Sequence, residues 1–176
     1  MLSKNSSMGL VFIILCVMII SGCTSLGVKE NEYNGVKHFE GKGISFNAPN
    51  TWHSGSPRNT KGYLFSIYQG TLNNSSYIID FYSAQTNKTL SEAVIYLNND
   101  FRQRSNCTVL SEKNCTVNGV AAYQVKAINS LNQTLILTYF VKDGVVYSID
   151  ATPNPYTNHT NIESDLEMVI NTFHPI

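Results

Sequence analysis

The sequence predicts an α+β domain in which a single antiparallel β-sheet is flanked by helices. Two observations lead to this prediction. Short aromatic and β-branched segments bounded by turn residues indicate strands, and two amphipathic segments with helix-capping motifs indicate helices. Their order is three strands, a helix, four strands and a closing helix. Strands joined by short turns pair antiparallel, so we expect the helices to pack on one sheet.

The first three strands are predicted from apolar alternation and aromatic content. Residues 44–48 alternate apolar and polar side chains up to Pro49, which cannot donate to a ladder and stops the strand. Residues 63–68 and 77–82 are rich in Tyr, Phe and Ile, with Gly, Asn and Ser between them. This composition is typical of a β-hairpin.

Two capping boxes mark the predicted helices. Thr89 and Glu92 form the first box, and Thr160 and Glu163 form the second. Apolar residues recur at helical spacing in both segments: Leu90, Ala93, Val94, Leu97 and Phe101 in the first, and Ile162, Leu166, Val169, Ile170 and Phe173 in the second.

Turn signals at Asn118-Gly119 and Asp143-Gly144 organise the chain between the helices. They delimit predicted strands over residues 120–128, 134–141 and 145–151. Apolar side chains occur on both faces of the middle strand, which indicates that it is covered on both sides.

The composition excludes some classes of partner. Hydrophobic residues make up 43% of the 176 residues, enough for a buried core, and charged residues only 14%. Twelve Lys and Arg balance twelve Asp and Glu without forming a basic stripe, so no nucleic-acid partner is expected. Asn, Ser and Thr account for 52 residues and supply the polar surface instead.

The first 22 residues are predicted to be a signal peptide. Lys4 precedes a 13-residue, mostly apolar run, Met8–Ile20, which is shorter than the roughly 20 residues of a membrane span. The sequence Ile20-Ser21-Gly22-Cys23 resembles a prokaryotic lipobox, which implies cleavage before Cys23 and lipidation of its thiol. An ordinary signal peptide or an uncleaved anchor helix is the alternative. We expect residues 23–42 to form a lipidated N-terminus and polar tether, and residues 43–176 to form one domain.

Cys107 and Cys115 are the cysteines left to the exported domain once Cys16 and Cys23 are assigned to the signal and the lipid. An even pair outside the cytoplasm predicts a disulfide. Eight residues of straight strand span about 26 Å, so the bridge requires a chain reversal near residues 111–113. The alternative is two free thiols that face the same side of one strand. A metal site is not predicted, because the spacing is not C-x2-C.

Seven possible glycosylation sites occur after the signal. The Asn-x-Ser/Thr sequons are Asn73, Asn74, Asn87, Asn106, Asn114, Asn132 and Asn158. With Asn5 the chain holds eight, about twice the number that its Asn, Ser and Thr content predicts by chance. The alternative is simply a high Asn content.

Signatures of catalysis are absent from the sequence. There is no G-x-S-x-G, H-E-x-x-H, P-loop or G-x-G-x-x-G motif, so no catalytic residue, cofactor or metal site is predicted. The four His residues are scattered, and sequence alone leaves open a convergence of His53 with His159 or His174. Asp80 and Asp150 lie in predicted strands, where burial would raise their pKa values.

Residues 43–52, Gly-Ile-Ser-Phe-Asn-Ala-Pro-Asn-Thr-Trp, resemble the opening of PsbP-like domains, in which a short strand runs into Pro-x-x-Trp. The later order of a central helix, a meander and a closing amphipathic helix is similar. The resemblance covers about residues 43–176 and implies an α/β/α sandwich without a shared catalytic motif. The lipobox, low charge and high Asn content together resemble secreted lipoproteins of methanogenic archaea.

Three functions follow as hypotheses. The first is a non-enzymatic, lipid-anchored domain on the extracellular face of the cell membrane that binds a protein partner or assists an envelope complex. The second is a binder of a small ligand, sugar or metal, with Trp52, Tyr or His lining a cleft. The third is a hydrolase, which requires a buried Asp80 or Asp150 beside a His or Ser.

Overall fold

The computed structural model describes residues 27–71, 77–104, 106–153 and 162–176. Its helices in this part of the chain are α1 (Leu90–Arg104) and α2 (Glu163–Thr172). The strands are β1 (Val28–Tyr33), β2 (Val36–Gly41), β3 (Ile44–Pro49), β4 (Trp52–Ser54), β5 (Tyr63–Gln69), β6 (Tyr77–Gln85), β7 (Cys107–Val117), β8 (Val120–Asn129), β9 (Thr134–Lys142), β10 (Val145–Pro153) and β11 (His174–Pro175). From β3 to α2 the order agrees with the predicted one, apart from the short β4.

The strands form two antiparallel sheets. Sheet A has the order β1-β2-β3-β11, and sheet B has the order β4-β5-β6-β10-β9-β8-β7. Sheet A and α2 pack on one face of sheet B, and α1 packs on the opposite face. The predicted single sheet flanked by helices, and with it the α/β/α sandwich, is therefore wrong. The fold is mostly β, and a second sheet takes much of the place expected for a helical layer.

Residues 28–41, which fall in the predicted tether, form the β1–β2 hairpin of sheet A. Asn34 and Gly35 have φ values of 51° and 76°, as a two-residue turn of type I′ requires. Strand β1 is polar and exposed along most of its length, so it has no apolar alternation that would reveal it. Phe39 of β2 is fully buried and fixes the hairpin to the core. A polar edge strand with few anchors explains why apolar patterning does not predict the β1–β2 hairpin.

The main core joins both sheets to α2 through stacked aromatic rings. Phe46 of β3 lies at its centre, and its ring centroid is 5.3 Å from Phe39, 5.8 Å from Phe65, 4.5 Å from Phe81 and 6.2 Å from Phe173. Phe173 follows α2 directly, so the helix is held at its C-terminal end by the same stack. Such stacking contributes beyond the area that the rings bury.

A smaller apolar cluster lies on the other face of sheet B, beneath α1. Val94 of the helix packs there with Val125, Leu137 and Tyr139. The capping box predicted for this helix is confirmed. The Thr89 backbone N–H donates to Glu92 Oε2 at 2.8 Å, and the Glu92 N–H donates to Thr89 Oγ1 at 3.4 Å. The second predicted box lies partly outside the described residues, because Thr160 is not among them.

Two β-bulges decide which face of sheet B several side chains occupy. One falls between Tyr63 and Phe65 in β5, and the other between Val109 and Ser111 in β7. An extra residue in a strand reverses the face of every side chain beyond it. Val109 therefore packs beneath α1, whereas Cys115 packs on the face that carries α2.

Candidate functional site

The predicted disulfide is not formed. Cys107 and Cys115 are both free, and β7 runs from one to the other without the reversal that a bridge requires. Even spacing would place the two side chains on one face, but the intervening bulge puts them on opposite faces of sheet B. The alternative of two free thiols on one strand is therefore right, but its placement of both thiols on the same side of the strand is wrong.

Four of the predicted glycosylation sites lie in described residues and are exposed: Asn87, Asn106, Asn114 and Asn132. Exposure is necessary for glycan attachment, and glycosylation itself stays a prediction. Cys23, Asn73, Asn74 and Asn158 lie outside the described residues.

The described His residues do not converge. His38 Nδ1 is 2.9 Å from Asn47 Oδ1, His53 Nδ1 is 3.3 Å from Lys37 Nζ, and a ring nitrogen of His174 is 2.9 Å from Asn118 Nδ2. His159 lies outside the described residues. Within the described ranges, no three His, Cys, Asp or Glu side chains are placed to hold a metal ion.

Trp52 cannot line a binding cleft, because its side chain is fully buried in the main core. The indole Nε1–H donates to Asp165 Oδ2 of α2 at 2.8 Å. The ring therefore joins β4 to α2, and the sugar-binding role considered for it from the sequence has no support in its position.

Asp80 and Asp150 form a carboxylate pair on the face of sheet B opposite α2. They are direct partners in the β6–β10 register, so their side chains point to the same face. Asp80 is buried, and Asp150 is partly buried. Asp80 Oδ2 accepts a hydrogen bond from Arg58 Nη1 at 2.8 Å, and Asp150 Oδ1 accepts one from the Ser148 hydroxyl. Asp80 Oδ1 is buried without a hydrogen-bond partner among the described residues.

The loop between β4 and β5 packs over this pair. The Gly55 N–H donates to Ser66 O at 2.7 Å, and a Cβ at Gly55 would lie 2.3 Å from Ser66 Oγ, so a larger residue there would displace the Ser66 hydroxyl. Arg58 extends from the loop to Asp80. The bulge in β5 turns Tyr63 to the same face, where its hydroxyl donates to Ser66 Oγ at 3.0 Å.

Burial of this cluster changes its proton affinities. Desolvation raises the pKa of Asp150 to about 7, against the hydrogen bond from Ser148 and with the help of the neighbouring Asp80 charge. Desolvation also raises the pKa of Asp80, although Arg58 opposes it. The pKa of Tyr82 rises to about 12 through burial and the two carboxylates. Near neutral pH Asp150 is therefore partly protonated, while Asp80 Oδ1 is buried and accepts no hydrogen bond from the described residues.

A groove of about 630 Å³ lies between α2 and sheet B, on the face that carries the main core. Its lining consists of Ser111, Lys113, Cys115 and Thr116 of β7, Gln124 and Lys126 of β8, Ile136 of β9, and Glu163, Leu166, Glu167, Ile170 and Asn171 of α2. Ile136, Leu166 and Ile170 are buried and give the groove an apolar floor, whereas its rim is polar and carries charges of both signs.

One ion pair spans the groove at the start of α2. Lys126 Nζ lies 2.5 Å from Glu163 Oε1, and this hydrogen bond lowers the pKa of Glu163. At the other end, the Asn118 N–H donates to Ile170 O at 3.0 Å. The free Cys115 thiol lies between these ends, and burial raises its pKa. The thiol is therefore mostly protonated at neutral pH and is not an activated nucleophile.

A family model for PsbP-like proteins matches residues 9–174. The chain belongs to the PsbP-like family. The resemblance to PsbP-like domains is thus confirmed, and the family match also includes the β1–β2 hairpin. No curated protein matches the chain. Within the described residues, no helix has the length and apolar character of a membrane span.

A solved structure of cyanobacterial PsbP shares the fold of this chain. Cyanobacterial PsbP from Synechocystis superposes with a TM-score of 0.55 at 11% identity, over 89% of this chain and 96% of that one. Chains from Bacteroides thetaiotaomicron and Pseudomonas aeruginosa give TM-scores of 0.41 and 0.37 at 12% and 9% identity. They cover 76% and 73% of this chain, and the matches span 45% and 83% of their own lengths.

The sequence singles out Asp80 and Asp150 of this PsbP-like chain but misses Arg58 and the groove. Arg58 and Asp80 are 22 positions apart, and Lys126 and Glu163 are 37 positions apart. No local spacing connects such residues. The one local signal at the groove is the acidic first turn of α2, which fits dipole stabilisation as well as a binding role.

Proposed function

We propose that this PsbP-like protein is a non-enzymatic binding domain, anchored through a lipidated Cys23 on the extracellular face of the cell membrane. Its partner is a protein, and the domain holds that partner or assists an envelope complex. The observation that carries the proposal is the groove between α2 and sheet B. The lipobox supports the anchor, and four exposed sequons fit a domain outside the cell.

The groove has the character of a recognition surface. Its volume of about 630 Å³ falls within the range of about 300–1,000 Å³ typical of binding pockets. Buried apolar residues on the floor supply affinity, and a polar rim supplies orientation, which is the usual arrangement at protein interfaces. Lys113, Glu167 and Asn171 are exposed on that rim and are available to a partner.

A specific observation favours a second candidate function, acid–base chemistry at the carboxylate pair. Asp150 lies beside the Ser148 hydroxyl, as the hydrolase hypothesis requires. Both carboxylates are already engaged, however: Asp80 by Arg58 and Asp150 by Ser148. The Ser148 hydroxyl donates to the carboxylate beside it, and the only His on β4, His53, contacts Lys37 instead. These contacts support a structural role for the pair.

The anchor is tested by mass spectrometry of the membrane-associated protein. We expect an N-terminus at Cys23 that carries lipid and no peptide from residues 1–22. Cys23→Ser should release the protein or trap its precursor, and Cys107→Ser is the matched control that should leave the anchor intact. Recovery of residues 1–22 on the mature protein would refute both cleavage and lipidation.

The binding role is tested by affinity capture with the anchored protein, comparing wild type with Lys113→Glu. We expect the charge reversal in the groove to reduce recovery of the captured protein. Lys88→Glu, an exposed reversal before α1 on the other face of sheet B, is the matched control and should bind as wild type does. Equal capture by all three proteins would exclude the groove as the binding site for the partner. Hydrolysis of a simple ester by the wild type that is lost in Asp150→Asn would instead favour acid–base chemistry at the carboxylate pair.

A further inference from the structure

Strand β7 is the outermost strand of sheet B and has one free edge among the described residues. It is 11 residues long, and most of its side chains are exposed. On one side it pairs with β8, and on the other no described strand continues the sheet. An edge strand presents unpaired backbone N–H and C=O groups, which can form a ladder with a further extended chain.

The register shows which backbone groups are free. After the bulge, Ser111–Val117 pairs regularly with β8, and the two-residue Asn118-Gly119 turn closes the hairpin next to the Val117–Val120 pair. That pair is hydrogen-bonded, and hydrogen-bonded pairs alternate with non-hydrogen-bonded ones along an antiparallel ladder. Ser111, Lys113, Cys115 and Val117 therefore direct their N–H and C=O groups at β8. Those of Glu112, Asn114 and Thr116 point away from the sheet.

The groove lies alongside this free edge. Lys113 and Cys115 of β7 line it on one side, and Glu167 and Asn171 of α2 line it on the other. Lys126 of β8, the register partner of Ser111, pairs with Glu163 at the start of α2, and the Asn118 N–H just after β7 donates to Ile170 O near the end of α2. Helix α2 therefore runs in the same direction as β7. A chain added to β7 would direct every second side chain toward the groove.

The charges along the edge indicate the chemistry of the added chain. Glu112 is bound by Arg102 of α1 and by the Tyr123 hydroxyl, which hold it on the face away from the groove. Lys113 is exposed on the groove rim and makes no ion pair within the described residues, whereas Lys126 is paired with Glu163. An acidic side chain on the partner would complement Lys113, and an apolar one would complement Ile170 on the floor.

We propose that the protein partner binds as an eighth strand of sheet B. An extended segment of the partner pairs with the outward N–H and C=O groups of Glu112, Asn114 and Thr116. Its alternate side chains, one acidic and one apolar, reach the groove. This inference rests on the proposed function, because it names the partner that the groove would hold. Backbone pairing supplies affinity, and the groove selects the sequence.

The test compares Asn114→Pro with Asn114→Ala in the anchored protein solubilised in detergent. Proline removes the outward N–H and is tolerated on an edge strand, whereas alanine removes the same side chain and sequon but keeps the N–H. The probes are synthetic octapeptides obtained by selecting a displayed library with alternating apolar and acidic positions on the wild-type protein. We expect Asn114→Pro to bind them at least about tenfold more weakly than Asn114→Ala.

Amide hydrogen exchange gives the second readout. The N–H groups of Glu112, Asn114 and Thr116 should exchange quickly in the free protein and become protected when a peptide binds. Those of Lys113 and Cys115 should be protected in both states. Equal unfolding temperatures for the two Asn114 variants will show that the proline has not disrupted β7. If the proline does disrupt β7, the pair Thr116→Pro and Thr116→Ala provides the same comparison at another outward N–H.

The outcomes separate this inference from the proposed function. If peptides bind in a Lys113-dependent manner and both Asn114 variants bind them equally, binding as an eighth strand is refuted, whereas binding in the groove is supported. If no peptide binds, and capture by the anchored protein is insensitive to Lys113→Glu, both are overturned. A dimer in sedimentation that Asn114→Pro abolishes would make a second copy the occupant and overturn the proposed partner.

Discussion

The two faces of sheet B are stabilised by different physical interactions. Beneath sheet A and α2 the face is filled with aromatic and aliphatic side chains, and Phe46 contacts four other rings there. On the opposite face, α1 covers a small apolar cluster, and beyond it lie the carboxylate pair, Arg58 and two Tyr hydroxyls. Apolar burial depends little on pH, whereas the ionisation of buried carboxylates depends on it strongly. The first face should therefore set the magnitude of stability, and the second its dependence on pH.

The largest expected effect is that of Phe46→Ala. Removing the ring leaves a cavity between both sheets and α2, and such truncations typically cost about 3–5 kcal/mol in the free energy of unfolding. Denaturant unfolding followed by the fluorescence of buried Trp52 measures the loss. Tyr96→Ala is the matched control: Tyr96 is 64% exposed on α1 and should change stability by less than about 0.5 kcal/mol. A loss with Phe46→Ala as small as that of the control would contradict the central position of the stack.

The second prediction concerns the opposite face and the pH dependence of stability. The pKa of Asp150 is about 7 in the folded protein, against 3.8 for an ordinary aspartate side chain. Between these values the unfolded chain releases the proton while the folded one keeps it, so the stability of the wild type falls as pH rises. Asp150→Asn removes this slope and should be more stable than the wild type at pH 8 by about 2–4 kcal/mol.

Thermal unfolding from pH 4 to pH 8 measures the slope. Asp143→Asn is the matched control, because Asp143 is exposed in the β9–β10 turn and should leave the curve unchanged. Parallel curves for the wild type and Asp150→Asn would show that Asp150 does not hold its proton near neutral pH. Phe46→Ala should lower the unfolding temperature at every pH without altering its slope against pH. The two variants would then show that one face of sheet B sets the magnitude of stability and the other its pH dependence.

The parts of the molecule that were predictable from sequence are those determined by neighbouring residues. The Thr89 cap, the Asn118-Gly119 turn and the aromatic strands β5 and β6 each depend on interactions within a few positions. The β1–β2 hairpin was missed because its outer strand is polar and is fixed to the core mainly through Phe39. Apolar patterning detects buried faces, and an edge strand can lack one.

The candidate sites were less predictable because they depend on long-range pairing and on bulges. A single extra residue in β7 moves Cys115 to the groove face, opposite Cys107, and no composition or spacing indicates where that residue falls. The predicted disulfide failed for a related reason, since residues 111–113 continue the strand instead of reversing it. The raised pKa of Asp150 could likewise be predicted only with the knowledge that Asp80 of β6 is its direct partner in the sheet.

A third prediction tests the cation of the polar face. Arg58→Gln leaves Asp80 buried without its positive partner. Because the Arg58 side chain is 44% exposed, we expect a moderate loss of about 1–3 kcal/mol at pH 8. The pKa of Asp80 should rise further in this variant, so the loss should shrink as the pH falls and the carboxyl becomes protonated. Arg58→Lys keeps a cation and should recover part of the stability. A loss independent of pH would indicate that Arg58 acts through packing on Tyr63 rather than through charge.

The smallest expected effect tests how independently α1 covers its face. Thr89→Ala removes the hydroxyl that accepts a hydrogen bond from the Glu92 N–H and donates one to the Glu92 carboxylate at 2.8 Å. Loss of such a cap costs about 1 kcal/mol, whereas Thr89→Ser keeps the hydroxyl and should stay close to the wild type. Because the cluster beneath α1 is small, the loss should appear in hydrogen exchange as faster opening of α1 with little change in β3 or α2. Equal acceleration in all three elements would mean that the two faces of sheet B unfold as one cooperative unit, and the difference between them would then be confined to pH dependence.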